Sequence, residues 1–373
     1  MSEPADGPVD EGAVDEGAVD EAVVDEGAVD EAVADALDGA PPGVDVARLF
    51  ARVEQAVLGG ERKYTPAEVA ERAGVSRDET RALWRALGFA TVGDDEAVYT
   101  DSDVEAVQAV GALRSLGFSD DELVGAMTRL FGQTFSRLAS WQGQLMLQLL
   151  AERPELLQSE DALVELIGEL GPELERLQGY VWRRQLVAFF ARAAARATTD
   201  DVVSSLGTEL AVGFVDMSGF TALTRRATEA ELRELLDRFE SLATTIVGAH
   251  GGRIVKTIGD EVLFSVDGRG APAAAAEIAL ELVERAAAGG TLPELRGGVA
   301  FGPVVSRLGD VYGSTVNIAS RLVSISRPGT VLVDKLMREQ LHGDDRFYLK
   351  TVRPESVRGF SHLRPWRLRR AER

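Results

Sequence analysis

The chain has 373 residues and a formal net charge of −21, long enough for two ordinary domains of roughly 100–200 residues each. The absence of cysteine excludes disulfides, thiolate catalysis and any Cys-ligated zinc or iron–sulfur centre. No run of about 18 apolar residues spans a bilayer and no basic-then-apolar leader opens the chain, which is the composition of a cytoplasmic protein.

The charge is unevenly placed. Residues 1–45 hold 15 Asp and Glu and no Lys or Arg, so the rest, with 46 acidic and 40 basic residues, carries only −6. This head repeats a unit, Val9-Asp10-Glu11-Gly12-Ala13, through Val29-Asp30-Glu31 and closes in Pro41-Pro42-Gly43. Dense like charge on small side chains cannot bury enough apolar surface to offset the entropy of ordering. A disordered tail is predicted, solvating rather than an interaction arm.

From Val46 the pattern turns helical. Val46, Leu49, Phe50, Val53 and Val57 share one face of a helix over 46–58, which Gly59-Gly60 ends. Tyr64 to Phe89 then reads as a short helix, a turn at Gly74, and a second helix with Ser76 as N-cap and Glu79 three residues on. That outline is a helix-turn-helix, whose DNA-facing residues would be Arg77, Arg81 and Arg85. Residues 61–118, however, hold 7 basic against 11 acidic residues, and DNA affinity rests on neutralising phosphates. A structural helix pair is predicted, and nucleic acid is not an expected partner.

Helical patterns continue over 103–117, 120–150 and 161–177, separated by Ser119, Pro154 and Pro172, and then over 177–197. An all-helical domain over 46–198 follows, joined by a polar linker at 199–207 to a second domain over 208–373. The last helix, with Trp182, Phe189 and Phe190, is either a spacer or an element that relays the state of the first domain. The sequence names no small-molecule effector, and the space between the helices would suit an apolar one.

The second half alternates strand and helix. Strands are predicted over 210–216, 253–258, 261–266, 295–308 and 331–334, and helices over 229–249, 271–288 and 314–326. The order βαββαβ is that of a ferredoxin-like α+β sheet with helices on one face. The other face is then left open, and a second copy of the domain is the economical cover.

Three charged stretches stand out in this half. In ELAVGFVDMSGFT an apolar strand ends in Asp216 and turns through Met217, Ser218 and Gly219, whose backbone N–H groups suit phosphate oxygens. In GGRIVKTIGDEVLF a hairpin carries Lys256 on its first strand and Asp260 in its turn, a fixed oxygen ligand for a cation. In RLGDVYGSTVNIASRL, Asp310 lies in a Gly-Asp turn, while Asn317 and Arg321, four apart, share a helix face. The histidines, His250, His342 and His362, are too scattered for a His-based metal site, and His250 reads as a helix-end residue before Gly251-Gly252.

These stretches, with Lys256 and Asp260 lying 40 and 44 residues after Asp216, resemble the motif blocks of class III nucleotide cyclases in order and spacing. The likeness covers about residues 208–368. The helical half, in ERKYTPAEVAERAGVS and YVWRRQL, is similar to the regulatory domain of actinobacterial adenylate cyclases, including autoinhibited, pH-responsive members.

Carried over residue by residue, the resemblance implies that Asp216 and Asp260 bind two Mg²⁺ or Mn²⁺ ions. It implies that Lys256 and Asp310 read adenine, that Asn317 orients the ribose, and that Arg321 stabilises the transition state. Phe214, Met217, Ser218, Gly219, Phe220 and Thr221 would contact substrate, and Arg358 would take the place of a Lys on the terminal phosphates. The implied reaction is ATP to 3′,5′-cyclic AMP and pyrophosphate in two sites shared across a homodimer. The alternatives are a guanylate cyclase, or a regulatory or DNA-binding protein with an inactive cyclase domain.

Overall fold

The structure, a computed structural model, describes residues 46–117, 121–196, 208–357 and 360–371. The acidic tail, the linker at 199–207, Ser119 and Arg358 lie outside the described residues. Two compact units divide between Tyr180 and Val181. No helix of the described residues is long and apolar enough to cross a membrane.

In the first unit, α1 (Val46–Leu58) precedes α2 (Pro66–Ala73) and α3 (Arg77–Leu87). Reciprocal capping boxes fix both starts, Thr65 with Glu68 and Ser76 with Glu79, and left-handed glycines Gly74 and Gly88 end both helices. Trp84 of α3 is buried and stacks on Tyr99 with ring centroids 5.4 Å apart. Val69 of α2 and Val104 and Val107 of α4 (Asp101–Ser115) complete this small core. α5 (Asp121–Glu152) passes α3 at Gly132, where a Cβ would stand 2.3 Å from the Leu87 carbonyl oxygen. Arg81, a residue of the helix-turn-helix outline, is paired with Asp94.

A 3₁₀ turn over Pro154–Gln158 leads into α6 (Glu160–Arg196). The sequence predicts two helices, 161–177 and 177–197, with Pro172 as a capping signal; the structure instead has one helix of 37 residues with Pro172 inside it. An interior proline removes one N–H and costs about 3 kcal/mol. The strong helix formers that follow, Glu173 to Leu177, carry the helix through it.

The second unit opens with β1 (Thr208–Met217), the short α7 (Phe220–Thr224) and α8 (Glu229–Ala249). Next come β2 (Arg253–Ile258), β3 (Glu261–Val266), α9 (Ala271–Gly289) and β4 (Leu295–Arg307). β5 (Asp310–Tyr312), α10 (Ser314–Ile325), β6 (Val331–Val333) and α11 (Lys335–Gln340) follow. The chain finishes with β7 (Phe347–Thr351), β8 (Glu355–Val357), β9 (Phe360–Leu363) and β10 (Trp366–Arg370). The sheet order is β2-β3-β1-β4-β6-β10-β7, with β5 folded back on β4 and β8–β9 a separate pair. Its first four strands, all antiparallel neighbours, form the ferredoxin-like βαββαβ unit.

Alternation along the strands makes two cores. Ala211, Val215, Phe264 and Val299 face α8 and α9, where Phe239, Ile246, Ile278 and Leu282 are essentially inaccessible. Each such side chain contributes about 1.5–3 kcal/mol by burial. Leu210, Val212, Phe214, Leu263 and Ala300 face the other way, against Ala319 and Val323 of α10. The expectation of helices on one face alone is corrected here. α10 lies on the second face because Gly298 of β4 admits it: a Cβ there would sit 2.3 Å from the Val323 nitrogen and 2.5 Å from the Ala319 oxygen.

Candidate active site

Asp216 ends the second-face row of β1 and stands in register opposite Glu261 on β3 and Arg296 on β4. It is only 9% exposed, and its Oδ2 accepts hydrogen bonds from Arg296 Nε at 2.8 Å and Nη2 at 2.5 Å. Asp260 occupies the two-residue turn between Ile258 and Glu261, after Gly259 with φ of 60°. The Met217 N–H donates to the Asp260 carbonyl at 3.1 Å, tying the hairpin tip to the end of β1.

Burial, and then the charge of Asp216, raise the Asp260 carboxyl above the ordinary aspartate range. Glu261 is pushed up to about 7 by burial and by both aspartates, with Arg296 opposing. Clustered carboxyls resist ionising together unless a cation compensates them. This hard-oxygen donor set fits Mg²⁺ or Mn²⁺, which use one or two carboxylates together with substrate phosphates. A ready-made cage of three His, Asp or Glu ligands is not found among the described residues.

A second group forms where β2 meets the β4–β5 turn. Lys256 Nζ donates to Asp310 Oδ2 at 2.6 Å, and Asp310 Oδ1 accepts the Val311 N–H at 2.7 Å. Asn317, exposed, and Arg321, half-buried, lie one turn apart on α10.

The structure therefore brings together Asp216 with Asp260, Lys256 with Asp310, and Asn317 with Arg321. Among the described residues, no hydrogen bond or ion pair joins the aspartate pair to the other two. The side chains of Phe214 and Met217 are buried in the two cores, which leaves their backbone for any outside contact. Ser218 spends its N–H on the Glu294 carbonyl at 2.8 Å, while its buried Oγ has no partner among the described residues. Gly219, in a left-handed conformation with φ of 78°, starts α7, and Phe220 and Thr221 form its first turn.

Arg296 and Glu261 escape sequence reasoning. Glu261 adjoins Asp260 but reads as an ordinary strand residue. Arg296 becomes visible only once β1 is set against β4 in register.

With this geometry in hand, residues 202–369 match the family described as the adenylate and guanylate cyclase catalytic domain. Residues 45–186 match the adenylate cyclase regulatory domain. The chain belongs to the class III adenylate and guanylate cyclase family. An adenylate cyclase of Streptomyces coelicolor (strain ATCC BAA-471 / A3(2) / M145) is 41% identical over 364 residues, 90% of this chain and 93% of that protein. Another, from Glutamicibacter nicotianae, is 38% identical, covering 86% of this chain and 82% of that protein. A protein named as a pH-sensitive adenylate cyclase, from Mycobacterium tuberculosis (strain CDC 1551 / Oshkosh), is 31% identical over 84% of this chain and 80% of its own length. Within the family this chain is an adenylate cyclase, a phosphorus–oxygen lyase with a helical regulatory domain.

Proposed function

We propose that the chain converts ATP to 3′,5′-cyclic AMP and pyrophosphate in two sites shared across a homodimer, each holding two Mg²⁺ or Mn²⁺ ions. The aspartates Asp216 and Asp260 come from one protomer; Lys256, Asp310, Asn317 and Arg321 come from the other. The 2.6 Å ion pair of Lys256 with Asp310 carries the choice of ATP. A donor beside an acceptor matches adenine, whose N1 accepts and whose N6 amino group donates. Guanine presents N1–H and O6 instead, so both contacts become repulsive.

The ribose 3′-hydroxyl gives up its proton to solvent and its oxygen bonds to the α-phosphorus, while the bond from that phosphorus to the oxygen bridging to the β-phosphorus breaks and pyrophosphate leaves. Asn317 orients the ribose, and the Arg321 guanidinium donates to the oxygens on which charge develops. Asp216 and Asp260 would hold the ions, whose chemistry there would be to acidify the 3′-hydroxyl and neutralise the triphosphate. Because Met217 and Ser218 commit their N–H groups inside the fold, the phosphates fall to the amides of Gly219, Phe220 and Thr221. Arg358 takes the terminal phosphates. The shared site is supported by Ile258, Val305 and Tyr312, each about half exposed on the elements that bear these groups.

The first domain, over 46–198, restrains the catalytic domain over 208–373, and α6 relays its state. Tyr180, Trp182, Phe189 and Phe190 stand exposed on that helix, apolar surface that a change of packing would use. A cavity of about 280 Å³ in the helical unit, lined by Val75, Leu83, Val107 and Val124 and also by the charged Glu79, Arg114 and Asp121, is the place proposed for an apolar effector. The enzyme acts in the cytoplasm without nucleic acid. Turnover of ATP against GTP by the purified chain with Mn²⁺ tests the substrate assignment: ATP is the preferred substrate, and a preference for GTP overturns it.

A further inference from the structure

We propose that Arg253 is a positioning residue that fixes the base-reading pair Lys256–Asp310 and so sets the preference for adenine; this rests on the assignment of that pair to the base. The starting point is the turn before Asp310. Arg307 and Asp310 close the β4–β5 hairpin, leaving Leu308 and Gly309 as its two turn residues. Both have positive φ, 52° and 80°, as the type I′ turn of a two-residue hairpin requires. Glycine adopts this freely. Leucine does not, and Leu308 is the one described residue other than glycine with positive φ. Its side chain is 42% exposed, so local packing does little to hold it.

The contacts that grip the turn come from β2. Arg253 Nη1 donates to the Gly309 carbonyl at 2.9 Å, and Lys256 Nζ donates to Asp310 at 2.6 Å. Residues three apart on a regular strand point to opposite faces. A bulge between Ile254 and Lys256 removes that mismatch: Arg253 lies opposite Ser265 and Lys256 opposite Leu263, two positions on the same side of β3. The irregularity therefore aims both cations at one turn. The Lys256 side chain is 43% exposed, so its ion pair adds little to folding. The consequence of the arrangement lies in where the Asp310 carboxylate is held.

The full-length enzyme with Mn²⁺ tests this through kcat and KM for ATP and GTP, with thermal melting beside them. Arg253→Met keeps the apolar stem and removes the donors. It should raise KM for ATP and cut the ATP-over-GTP ratio of kcat/KM about tenfold each, with kcat within about twofold. Arg253→Lys should retain most of the ratio. Adding Leu308→Asn, which suits positive φ, to Arg253→Met should restore it, a rescue that a general loss of stability would not show.

An unchanged ratio in Arg253→Met, or a parallel fall of kcat for both nucleotides without rescue, overturns the inference. Should Arg253→Met not fold, Arg253→Leu and Arg253→Leu/Leu308→Asn take its place in the same comparison. Lys256→Ala separates the two levels of the argument. If it leaves the ratio intact, the base assignment itself fails; if it abolishes the ratio while Arg253→Met does not, only the role of Arg253 fails.

Discussion

Asp216 on β1 and Arg296 on β4 stand directly opposite each other, and two guanidinium nitrogens donate to a single carboxylate oxygen, Oδ2. In the proposed site the other oxygen, Oδ1, is the one offered to a cation, so one side chain would serve the fold and the chemistry at once. Asp216→Ala should abolish cyclase activity. It should also destabilise the catalytic unit by about 1–3 kcal/mol, because it strands a partly buried guanidinium. Adding Arg296→Met should recover much of that stability and none of the activity, as urea denaturation beside product formation will report.

Lys256 and Asp310 make the opposite case. Their ion pair is partly exposed, and such pairs contribute roughly 0–1 kcal/mol. Asp310→Ala should therefore leave the melting temperature nearly unchanged while lowering kcat/KM for ATP by about 10–100-fold. A large drop in melting temperature would instead mark the pair as structural.

Gly298 sets the height of α10 above the sheet. Gly298→Ala would place a methyl 2.3 Å from the Val323 nitrogen, against backbone that cannot swing aside. Overpacking of this kind costs about 1–3 kcal/mol, and the helix carrying Asn317 and Arg321 must lift. Activity should fall by more than the melting temperature alone explains, read as the rate well below the new transition.

Acid should weaken one contact in the catalytic unit in a defined direction. Glu281 accepts hydrogen bonds from His250 Nε2 and Arg285 Nη2, both at 2.8 Å. The His250 contact is the largest influence, and together they hold the carboxyl below its ordinary 4.5. A folded-state pKa below the unfolded one stabilises fully above the unfolded value, and the effect is lost as pH falls through the folded value. The stability gap between wild type and Glu281→Gln should therefore be full near pH 7 and close below about pH 4.5. A gap that persists at pH 3 would rule this contact out as the cause.

Much of this was legible in the sequence where local chemistry decides. The capped pair Ser76 and Glu79, the 229–249 helix and the hairpin with Asp260 in its turn were readable because period and turn residues speak within a short window. Long-range relations were not. That Arg296 meets Asp216 depends on the β1–β4 register, and that α10 covers the second face depends on the missing Cβ of Gly298. The bulge after Ile254 leaves no mark in the apolar pattern of β2. β7 and β10 were missed because short strands rich in Lys and Arg, such as Trp366–Arg370, lack a clean apolar alternation. Pro172 was over-read as a capping signal, since a single lost N–H is a smaller penalty than ending a helix with good formers on its far side.

The most direct test of the account mixes two inactive chains. In the proposed shared site Asp216→Ala would remove a metal ligand and Asn317→Ala a ribose contact, and a heterodimer of the two would contain one site with both groups intact. The account predicts that each variant alone is silent and that verified heterodimers regain up to about half of the wild-type rate, one of two sites. Silence in verified heterodimers would contradict it.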